Sequence, residues 1–315
     1  MTSPPAAEVY GDLRPLLFSI AYRMLGSVAE AEDVVQEAFL RYHREVEAGA
    51  AVGSPRAFLS AVTTRLCIDT LRSARARRET YVGEWLPEPV LTDDDPAVHA
   101  ERADSLSMAF LLLLERLSPV ERAVFLLHDV FGYSYDEIAP IVGKSVDNCR
   151  QLASRARRHV EAGRPRFDES RERRAELAGR LVGAMLDADV DGVLALLSDD
   201  VVVVGDSGGG SPSWPRPITG RERVARLLAS LGSQARAAGV ELRHAEVNGQ
   251  PGTLAYAPDG SLVSVWVYDV SDGAVRTVRS IINPAKLAHL GPVADVRELI
   301  RDLRNRSGPP GVSPA

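Results

Sequence analysis

Apolar residues in the first half of the chain recur mostly at spacings of three and four, which is typical of amphipathic helices. Ser27, Ser118 and Ser134 are each followed three positions later by a glutamate. This is the capping-box pattern of a helix start, in which the hydroxyl and the carboxylate satisfy backbone amides that the first turn leaves without partners. Pro119, at the first helical position, strengthens the second of these starts. The first half is therefore predicted to be almost entirely helical.

The pattern changes twice along the rest of the chain. Between about Thr80 and Pro96 the helical period disappears, and this acidic, proline-containing segment predicts an extended linker. Beyond about Gly163 two helices, and then β-rich segments with one further helix among them, are expected, which makes this half α+β. The predicted elements are helices over 171–187, near Val193 and over 219–238 (opened by a Thr219-x-x-Glu222 capping box), strands over 201–204, 240–247, 262–270 and 275–282, and a hairpin turn at 271–273.

Composition is that of an ordinary folded protein of two or three domains, with 315 residues, 45% hydrophobic and 25% charged. No apolar run approaches the ~18 residues of a membrane span, so a cytoplasmic protein is expected. Cys67 and Cys149 each lie in a helix-like segment without a neighbouring ligand cluster. We expect both to be core residues, with no disulfide, metal site or cofactor.

The net charge of −6 argues against a protein that coats nucleic acid without selectivity. Charge is strongly segregated, however. The segment from Arg65 to Arg78 contains five arginines and only one acid, whereas the segment from Glu84 to Asp104 is acidic apart from Arg102. Local basic faces, rather than the total charge, are therefore the candidates for phosphate contact.

The strongest local signal is a helix-turn-helix over Tyr135–Val160, two helical stretches separated by Gly143-Lys144-Ser145. In the second stretch an apolar stripe leaves a polar and basic face pointing away from the core. The apolar stripe consists of Val146, Cys149, Ala153, Ala156 and Val160. The opposite face consists of Asp147, Arg150, Gln151, Ser154, Arg155 and Arg158. Arginine and glutamine form paired hydrogen bonds with base edges, so this face suits a DNA groove; a solvated basic helix is the alternative.

A second basic amphipathic helix is predicted over Arg56–Arg78. On its own it suits DNA, a membrane surface or plain solvation equally.

Taken together, these segments resemble the extracytoplasmic-function sigma factors of bacteria over roughly residues 8–162. Ala31 to Leu40 resembles the polymerase-binding helix of that family, and Ala57–Leu59 through Asp69–Arg72 resembles its minus-ten-reading region. The helix-turn-helix resembles the domain that reads the minus-thirty-five element. The resemblance implies binding to core RNA polymerase and to promoter DNA, both the duplex upstream element and the melted minus-ten strand, and no membrane.

The resemblance and the exposed faces together give the candidate site residues. Polymerase contacts are expected at Asp33, Gln36 and Glu37, with Val35 and Phe39 buried beside them. DNA contacts are expected at Arg56, Arg65, Arg72, Arg75, Lys144, Ser145, Arg150, Gln151, Ser154, Arg155 and Arg158. For Asp33, Gln36 and Glu37 the alternative is a solvated face.

The second half resembles the SnoaL-like extension of one subgroup of this family, a cone-shaped α+β fold. The subgroup's Trp-Leu-Pro-Glu-Pro motif stands at Trp85, Leu86, Pro87, Glu88 and Pro89, and its Asn-Pro-x-Lys-Leu motif at Asn283, Pro284, Lys286 and Leu287. The subgroup's Asp-Gly-Gly-Gly-Lys motif departs from the pattern: Asp206 is followed by Ser207, Gly208, Gly209, Gly210 and then Ser211, without the lysine. A flexible glycine loop is the alternative reading there. The resemblance implies that these motifs form a regulatory contact between domains.

The fold class that follows is a multi-domain protein with two all-α sigma domains, a helical bundle and a helix-turn-helix, before an α+β SnoaL-like domain. The expected boundaries are 1–80 and 104–163 for the sigma domains, 81–103 for the linker, 171–290 for the SnoaL-like domain and 291–315 for the tail.

Three functions are weighed on this basis. The first is a sigma factor whose C-terminal domain regulates it in cis and has room for a small ligand. The second is a stand-alone helix-turn-helix regulator. The third is a SnoaL-like isomerase or cyclase, for which Asp206, His244, Tyr256, Trp266 and Tyr268 are the residues that would point into a pocket. Core packing is the alternative for Trp266 and Tyr268, which share one face of a strand.

Overall fold

The computed structural model describes residues 6–50, 52–78, 81, 83–92, 104–163, 169–210, 214 and 216–307. The chain divides into two compact units. The first consists of Met1–Thr80 and Asp104–Pro165, and the second of Tyr81–Ala103 and Arg166–Ala315. Their order confirms the predicted fold class, helical domains followed by an α+β domain.

The first unit is helical. Its helices are α1 (Ala6–Leu25), α2 (Val28–Glu47), α3 (Pro55–Arg78), α4 (Met108–Leu114), α5 (Pro119–Phe125, continued by a π turn over Leu126–Val130), α6 (Tyr135–Val142) and α7 (Val146–Gly163). The predicted capping boxes at Ser118 and Ser134 are confirmed, with both reciprocal hydrogen bonds present. At Ser27 the hydroxyl accepts the amide of Glu30, which caps α2.

Helices α1, α2 and α3 pack on one another, and α5 packs on α7. Helix α3 also lies against α5 and α6, so the two helical groups of this unit share a packed surface. Cys67 and Cys149 are buried free thiols, as predicted. Burial raises the pKa of Cys67 well above the ordinary thiol range, so this sulfur stays protonated within the core.

The second unit contains a six-stranded sheet. Its strands are β1 (Leu197–Asp206), β2 (Ile218–Thr219), β3 (Glu241–Val247), β4 (Gln250–Tyr256), β5 (Leu262–Ser271) and β6 (Ala274–Ile281), in the order β2-β1-β6-β5-β4-β3. Strands β1 and β6 are parallel, and the other neighbours are antiparallel. The predicted turn between β5 and β6 is present, with Asp272 and Gly273 both at positive φ, as a type I′ hairpin turn requires.

The helices of this unit are α8 (Arg171–Leu186), α9 (Val190–Leu196), α10 (Arg221–Ala237), α11 (Pro284–Leu287) and α12 (Val296–Ser307). Apolar side chains of α8, α9 and α10 form a buried core with β1, β5 and β6. Gly232 lets α10 approach the end of α8 closely, because a Cβ there would lie only 2.0 Å from the carbonyl oxygen of Met185.

One prediction in this half was wrong, and one strand was missed. The helix predicted to begin at Thr219 begins at Arg221 with Gly220 as its N-cap, so the Thr219-x-x-Glu222 capping box does not form. Thr219 instead belongs to β2, where it pairs with Val202 of β1. Strand β4 was not predicted.

The linker up to Thr92 belongs to the second unit, and its described residues, 81 and 83–92, are not helical. Leu91 forms an antiparallel bridge with Val247, the last residue of β3. Among the described residues, none of the helices has the length and apolar character to cross a membrane.

Candidate functional site

Helix α7 presents the polar face that the sequence predicted. Cys149, Ala153, Ala156 and Val160 are buried, while Val146 is half-buried at the helix start. The side chains that the sequence placed on the opposite face are all exposed: Arg150, Gln151, Ser154, Arg155 and Arg158. This face therefore has the donors that base edges and phosphates accept.

Two arginines of α7, Arg150 and Arg157, are held by contacts with neighbouring side chains. Arg150 pairs with Asp147 at 2.7 Å, and its guanidinium lies 5.9 Å from the ring centroid of Tyr135. Arg157, which is not part of the predicted face, donates to Asp129 at 2.6 Å and to the Tyr135 hydroxyl at 3.1 Å. Arg157 thereby connects α7 to the preceding helices. Arg150, Arg155 and Arg158 remain exposed on the surface.

The turn before α7 carries the predicted Lys144 and Ser145. Gly143 adopts the left-handed conformation that ends α6, with φ of 65°. Lys144 is exposed. The Ser145 hydroxyl accepts the amide of Asn148 at 3.2 Å, so it also caps α7.

In helix α3, one predicted DNA-contacting arginine is bound to the backbone of another helix. Arg65 donates from Nε to the carbonyl of Ile141 at 3.1 Å and from Nη2 to the carbonyl of Pro140 at 2.8 Å. Ser60 and the Tyr133 hydroxyl form a buried hydrogen bond of 2.7 Å nearby. Helix α3 is thus fastened to the end of α6, the first helix of the helix-turn-helix.

The remaining predicted arginines of α3 are less constrained. Arg56 is exposed, with its guanidinium 5.9 Å from the ring centroid of Tyr133. Arg72 is exposed and pairs with Asp69 at 3.2 Å. The side chain of Arg75 lies outside the described residues.

A shallow apolar groove runs along α1 and α2 beside the predicted polymerase contacts. Asp33 and Gln36 are exposed, and Glu37 is half-buried and pairs with Arg41 at 2.8 Å. The groove is about 430 Å³ and includes Gln36, together with Tyr10, Val35, Phe39 and Leu40.

Tyr10 and Leu40 of this groove were not among the contacts that the sequence analysis predicted. Tyr10 and Leu40 are 44% and 43% exposed, which is unusual for large apolar residues of the described chain. Phe39, predicted to be buried, is half-buried and contacts Tyr10 with ring centroids 4.6 Å apart. Leu40 lies four positions after Gln36 on the same helix face, and this spacing is the signal that identifies it.

The second unit brings its three predicted motifs together around one buried carboxylate. Asp206 is completely buried at the end of β1, and Lys286 of α11 lies 2.6 Å from its Oδ2. Lys286 also donates to the carbonyl of Leu86, and Asp206 accepts the amide of Leu86 at 2.8 Å. Asp206, Lys286 and the linker residues that they hold are called the linker clasp below.

Tyr81 completes the linker clasp. Its hydroxyl donates to Asp206 at 2.5 Å and accepts from the side-chain amide of Asn283 at 2.9 Å. Burial, and then the hydrogen bond and charge of Asp206, raise the pKa of Tyr81 well above the ordinary phenol range. The hydroxyl therefore remains a protonated donor at physiological pH.

The other motif residues pack around these polar groups. The Trp85 ring lies 4.4 Å from the Lys286 ammonium, a cation–π distance. Leu86, Pro87, Glu88, Pro89 and Leu287 are buried, whereas Pro284 is exposed at the first position of α11. His289 contacts the carbonyl of Pro89 through Nε2 at 2.8 Å.

The glycine run after Asp206 has a packing role where it begins. The amide of Gly208 donates to Asp206 at 3.1 Å, and φ is 60°. A Cβ at this position would lie 2.6 Å from Asn283 Nδ2. The cation beside Asp206 is supplied by Lys286, so the lysine missing after the glycine run is not needed for that role.

Backbone hydrogen bonds also connect the linker to the α+β unit beyond Pro89. The amide of Thr92 donates to the carbonyl of Glu246 at 2.9 Å, and the amide of Asn248 to the carbonyl of Val90 at 2.8 Å. The Thr92 hydroxyl donates to the Glu246 carboxylate at 2.8 Å. The linker therefore binds the end of β3 as a short added strand.

The five residues considered for catalysis do not converge. Trp266 and Tyr268 line a cavity of about 190 Å³, but Asp206 belongs to the linker clasp. His244 lies in a separate shallow pocket beside α8, and Tyr256 stacks with Arg243 at 4.5 Å. The prediction that all five point into one pocket was wrong. By the strand register Asp206 and Tyr256 face the side of the sheet opposite to Trp266, and His244, although on the same side as Trp266, lies beside α8 instead of in this cavity.

Comparison with known proteins covers both halves of the chain. Residues 9–77 match the family Sigma-70 region 2, and residues 107–160 match Sigma-70, region 4. The chain is 44% identical to the ECF RNA polymerase sigma factor SigJ of Mycobacterium tuberculosis (strain ATCC 25618 / H37Rv) over 224 residues, 70% of each chain. It is 32% identical to the probable ECF RNA polymerase sigma factor SigI of the same species over 289 residues, 90% of this chain and 95% of that one.

The fold is also similar to a solved structure. The crystal structure of M. tuberculosis SigJ matches with a TM-score of 0.71 and 36% identity, covering 91% of this chain and all of the other. The similarity therefore includes the α+β unit as well as the helices.

Proposed function

This chain belongs to the extracytoplasmic-function sigma factors of RNA polymerase, and we propose that its C-terminal unit regulates the sigma domains in cis through the linker clasp. As a sigma factor, the protein serves promoter-specific transcription initiation. The single observation that carries the proposal is the buried Asp206–Lys286 pair closed around the linker backbone at Leu86.

Binding to core polymerase is assigned to the outer face of α2. Asp33, Gln36 and Glu37 supply polar contacts, and the neighbouring groove with Tyr10 and Leu40 supplies apolar area. Exposed large apolar residues beside polar ones are typical of a protein interface.

Promoter DNA is assigned to α7 and α3. The exposed face of α7, with Lys144 and Ser145 at its start, suits the major groove of the duplex upstream element. Arg56, Arg65, Arg72 and Arg75 of α3 are assigned to the melted minus-ten strand. Arg65 has to leave the carbonyls of Pro140 and Ile141 before it binds DNA, so opening of the α3–α6 contact is part of the proposed mechanism.

The linker clasp offers a physical means of control. A linker held by the clasp can span only a shorter distance between the helices that it joins. The reason is that the segment from Tyr81 to Thr92 is bound to the α+β unit by side chains and by strand pairing. Since this linker joins α3 to the helices that precede the helix-turn-helix, we expect release of the linker to favour separation of the two DNA-binding groups on polymerase.

The proposal is tested by a transcription assay reconstituted with core polymerase, comparing the full chain with a chain that ends before residue 171. At equal protein level the truncation is expected to change promoter output. Equal output from both chains would reject regulation in cis.

The stand-alone regulator is separated by an electrophoretic mobility shift with and without core polymerase. A sigma factor binds its promoter weakly alone and tightly with the polymerase, whereas a stand-alone regulator binds tightly in both cases. The catalytic alternative is disfavoured because the described residues that line the cavity of Trp266 and Tyr268 include no carboxylate or imidazole for general acid–base work.

A further inference from the structure

One arginine on the exposed face of α7 is held from two sides, and its neighbour Arg155 is not. Arg150 pairs with Asp147 of the same helix at 2.7 Å, and its guanidinium lies 5.9 Å from the ring centroid of Tyr135 in α6. Arg155 has neither an ion pair nor a ring contact within the described part of the chain. The two arginines are both exposed, but they differ in how much side-chain freedom they retain.

The Tyr135 ring is itself fixed by contacts with other side chains. The His128 ring stacks on it with centroids 4.0 Å apart, and the Tyr135 hydroxyl accepts from Arg157 at 3.1 Å. His128 is held through Nδ1, 2.8 Å from the carbonyl of Tyr133, and Arg157 is held by Asp129 at 2.6 Å. A cation placed over this ring therefore meets a surface that does not move away.

The π turn after α5 supplies two of the side chains that fix the ring. His128 and Asp129 both belong to the five-residue turn Leu126–Val130. Turns of this type are rare and occur frequently at functional sites. Here the turn places an imidazole and a carboxylate where they fix Tyr135, directly and through Arg157.

These contacts prepare the Arg150 guanidinium for binding. A long arginine side chain loses rotamer freedom when it binds, and contacts that exist beforehand reduce this loss. A carboxylate and an aromatic face are both good partners of a planar guanidinium. Asp147 takes a hydrogen bond from Nη1, which is one of the five N–H donors of the group. Donors for paired hydrogen bonds with DNA are therefore left over.

Asp147 also has an ordinary structural explanation. It lies in the first turn of α7, where a carboxylate interacts favourably with the helix dipole. A carboxylate near DNA repels phosphates, so an acid with this role alone would lower the affinity for every DNA sequence equally. Its pair with Arg150 adds an effect that depends on the base sequence, and this effect can be measured separately.

We propose that Tyr135 and Asp147 are positioning residues for Arg150, and that Arg150 held in this way selects a guanine of the duplex upstream element. Arginine forms two hydrogen bonds with O6 and N7 of guanine, the commonest specific contact in the major groove. Both bonds form together only when the guanidinium plane is correctly oriented, and Tyr135 and Asp147 provide this orientation. The inference rests on the proposed assignment of the α7 face to promoter DNA.

The test measures how holoenzyme, reconstituted from core polymerase and the full chain, discriminates between promoter fragments. Each base pair of the upstream element is replaced in turn, and the affinity for the unchanged promoter is divided by the affinity for each fragment. Arg150→Ala is expected to abolish the discrimination at one G·C pair, which amounts to roughly 5- to 150-fold for a bidentate contact. Arg155→Ala, the matched control on the same face, should retain the discrimination at that pair.

Variants of the positioning residues should lower this discrimination although Arg150 is still present. Tyr135→Leu should lower it by roughly 2- to 5-fold, the range of one cation–π contact, whereas Tyr135→Phe keeps the ring and should retain it. Asp147→Ala should also lower it, and should raise the affinity for every fragment because a carboxylate that repels phosphates is removed. In the Arg150→Ala background neither Tyr135→Leu nor Asp147→Ala should change the discrimination further.

Unchanged discrimination in Tyr135→Leu or in Asp147→Ala would overturn the positioning role of that residue. A purely structural defect weakens binding to all fragments equally and leaves their ratio unchanged, and Asp147 is exposed, so its variant remains a test if Tyr135→Leu fails to fold. If Arg150→Ala altered the discrimination at no position while Arg155→Ala weakened binding, only this inference would fail. If neither arginine variant changed the affinity, the assignment of α7 to DNA would fail as well.

Discussion

The two units of this protein use their polar side chains in opposite ways. In the helical unit the candidate DNA-binding side chains of α7 lie on the surface, and their helix is held in place by a separate arginine, Arg157. In the α+β unit the candidate regulatory residues Asp206 and Lys286 are buried and hold the linker directly. Substitution on the surface is therefore expected to change binding and leave stability intact, whereas substitution at the linker clasp is expected to change both.

The largest effect is expected at Lys286. Lys286→Met keeps the length of the side chain but leaves the Asp206 carboxylate buried without its cation. Breaking a buried ion pair in this way costs ~3–5 kcal/mol of the free energy of unfolding, measured by denaturant titration.

The matched control for Lys286→Met is Arg236→Met, in the exposed pair with Asp187 of the same unit. Exposed pairs contribute ~0–1 kcal/mol, so this variant should remain close to the original protein. Equal destabilisation by both variants would contradict the distinction between buried and surface polar groups.

The next effect is expected on the exposed face of α7. Arg150→Ala and Arg155→Ala should each weaken promoter binding by polymerase holoenzyme by ~1–3 kcal/mol where the arginine contacts a base through two hydrogen bonds. The free energy of unfolding should change little, because both side chains are exposed. Unchanged affinity of both variants for the upstream element would show that a different helix face reads the DNA.

A smaller effect is expected at the contact between α3 and α6. Arg65→Ala removes two hydrogen bonds to the carbonyls of Pro140 and Ile141 and should lower the free energy of unfolding of the helical unit by ~1 kcal/mol, since the group is partly in solvent. Arg72→Ala on the same helix removes only an exposed pair with Asp69. If Arg72→Ala destabilised the chain as much, Arg65 would have no special role in fastening α3.

The smallest effect is the pH dependence of the free energy of unfolding that arises from Glu137, at the start of α6. Hydrogen bonds from the amide and hydroxyl of Ser134 lower the pKa of Glu137 below its ordinary value. A carboxyl whose pKa is lowered by folding stabilises the protein above its ordinary pKa of ~4.3, and this stabilisation is lost as pH falls through the folded pKa.

The comparison for this pH effect is Glu137→Gln, which retains a capping side chain without the charge. Denaturant titrations at pH 6 and pH 3 should show the original protein more stable by a few tenths of a kcal/mol at pH 6, with a smaller difference at pH 3. A difference that is undiminished at pH 3 would show that the charge of Glu137 is not its cause.

The helical unit was predictable from sequence because its information is local. The spacing of Cys149, Ala153, Ala156 and Val160 determines which face of α7 is buried, and the serine–glutamate pairs at Ser118 and Ser134 mark where helices begin. The engagement of Arg65 was not predictable, because it depends on carbonyls about 75 residues away in the chain.

The α+β unit was less predictable because its contacts are long-range. Strand β4 contains Pro251 and Gly252, which weaken a strand pattern, and it is stabilised by pairing with β3 and β5 on its two sides. Thr219 carries a helix-start pattern, but pairing with Val202 of β1 overrides it. Asp206, Lys286 and the linker motif were suggested by family resemblance alone. Tyr81 was missed by the sequence analysis, because its partner Asn283 lies 202 positions away in the chain.

Control of transcription by the linker clasp is tested most directly by promoter output from reconstituted polymerase with Lys286→Met, compared at equal protein level with the original chain and with Arg236→Met. Because Lys286 binds both Asp206 and the carbonyl of Leu86, we expect its loss to weaken the hold on the linker. Lys286→Met is then expected to raise output several-fold and Arg236→Met to leave it unchanged. Output from Lys286→Met equal to that of the original chain, with the linker shown to be released by exposure of Trp85, would contradict the account.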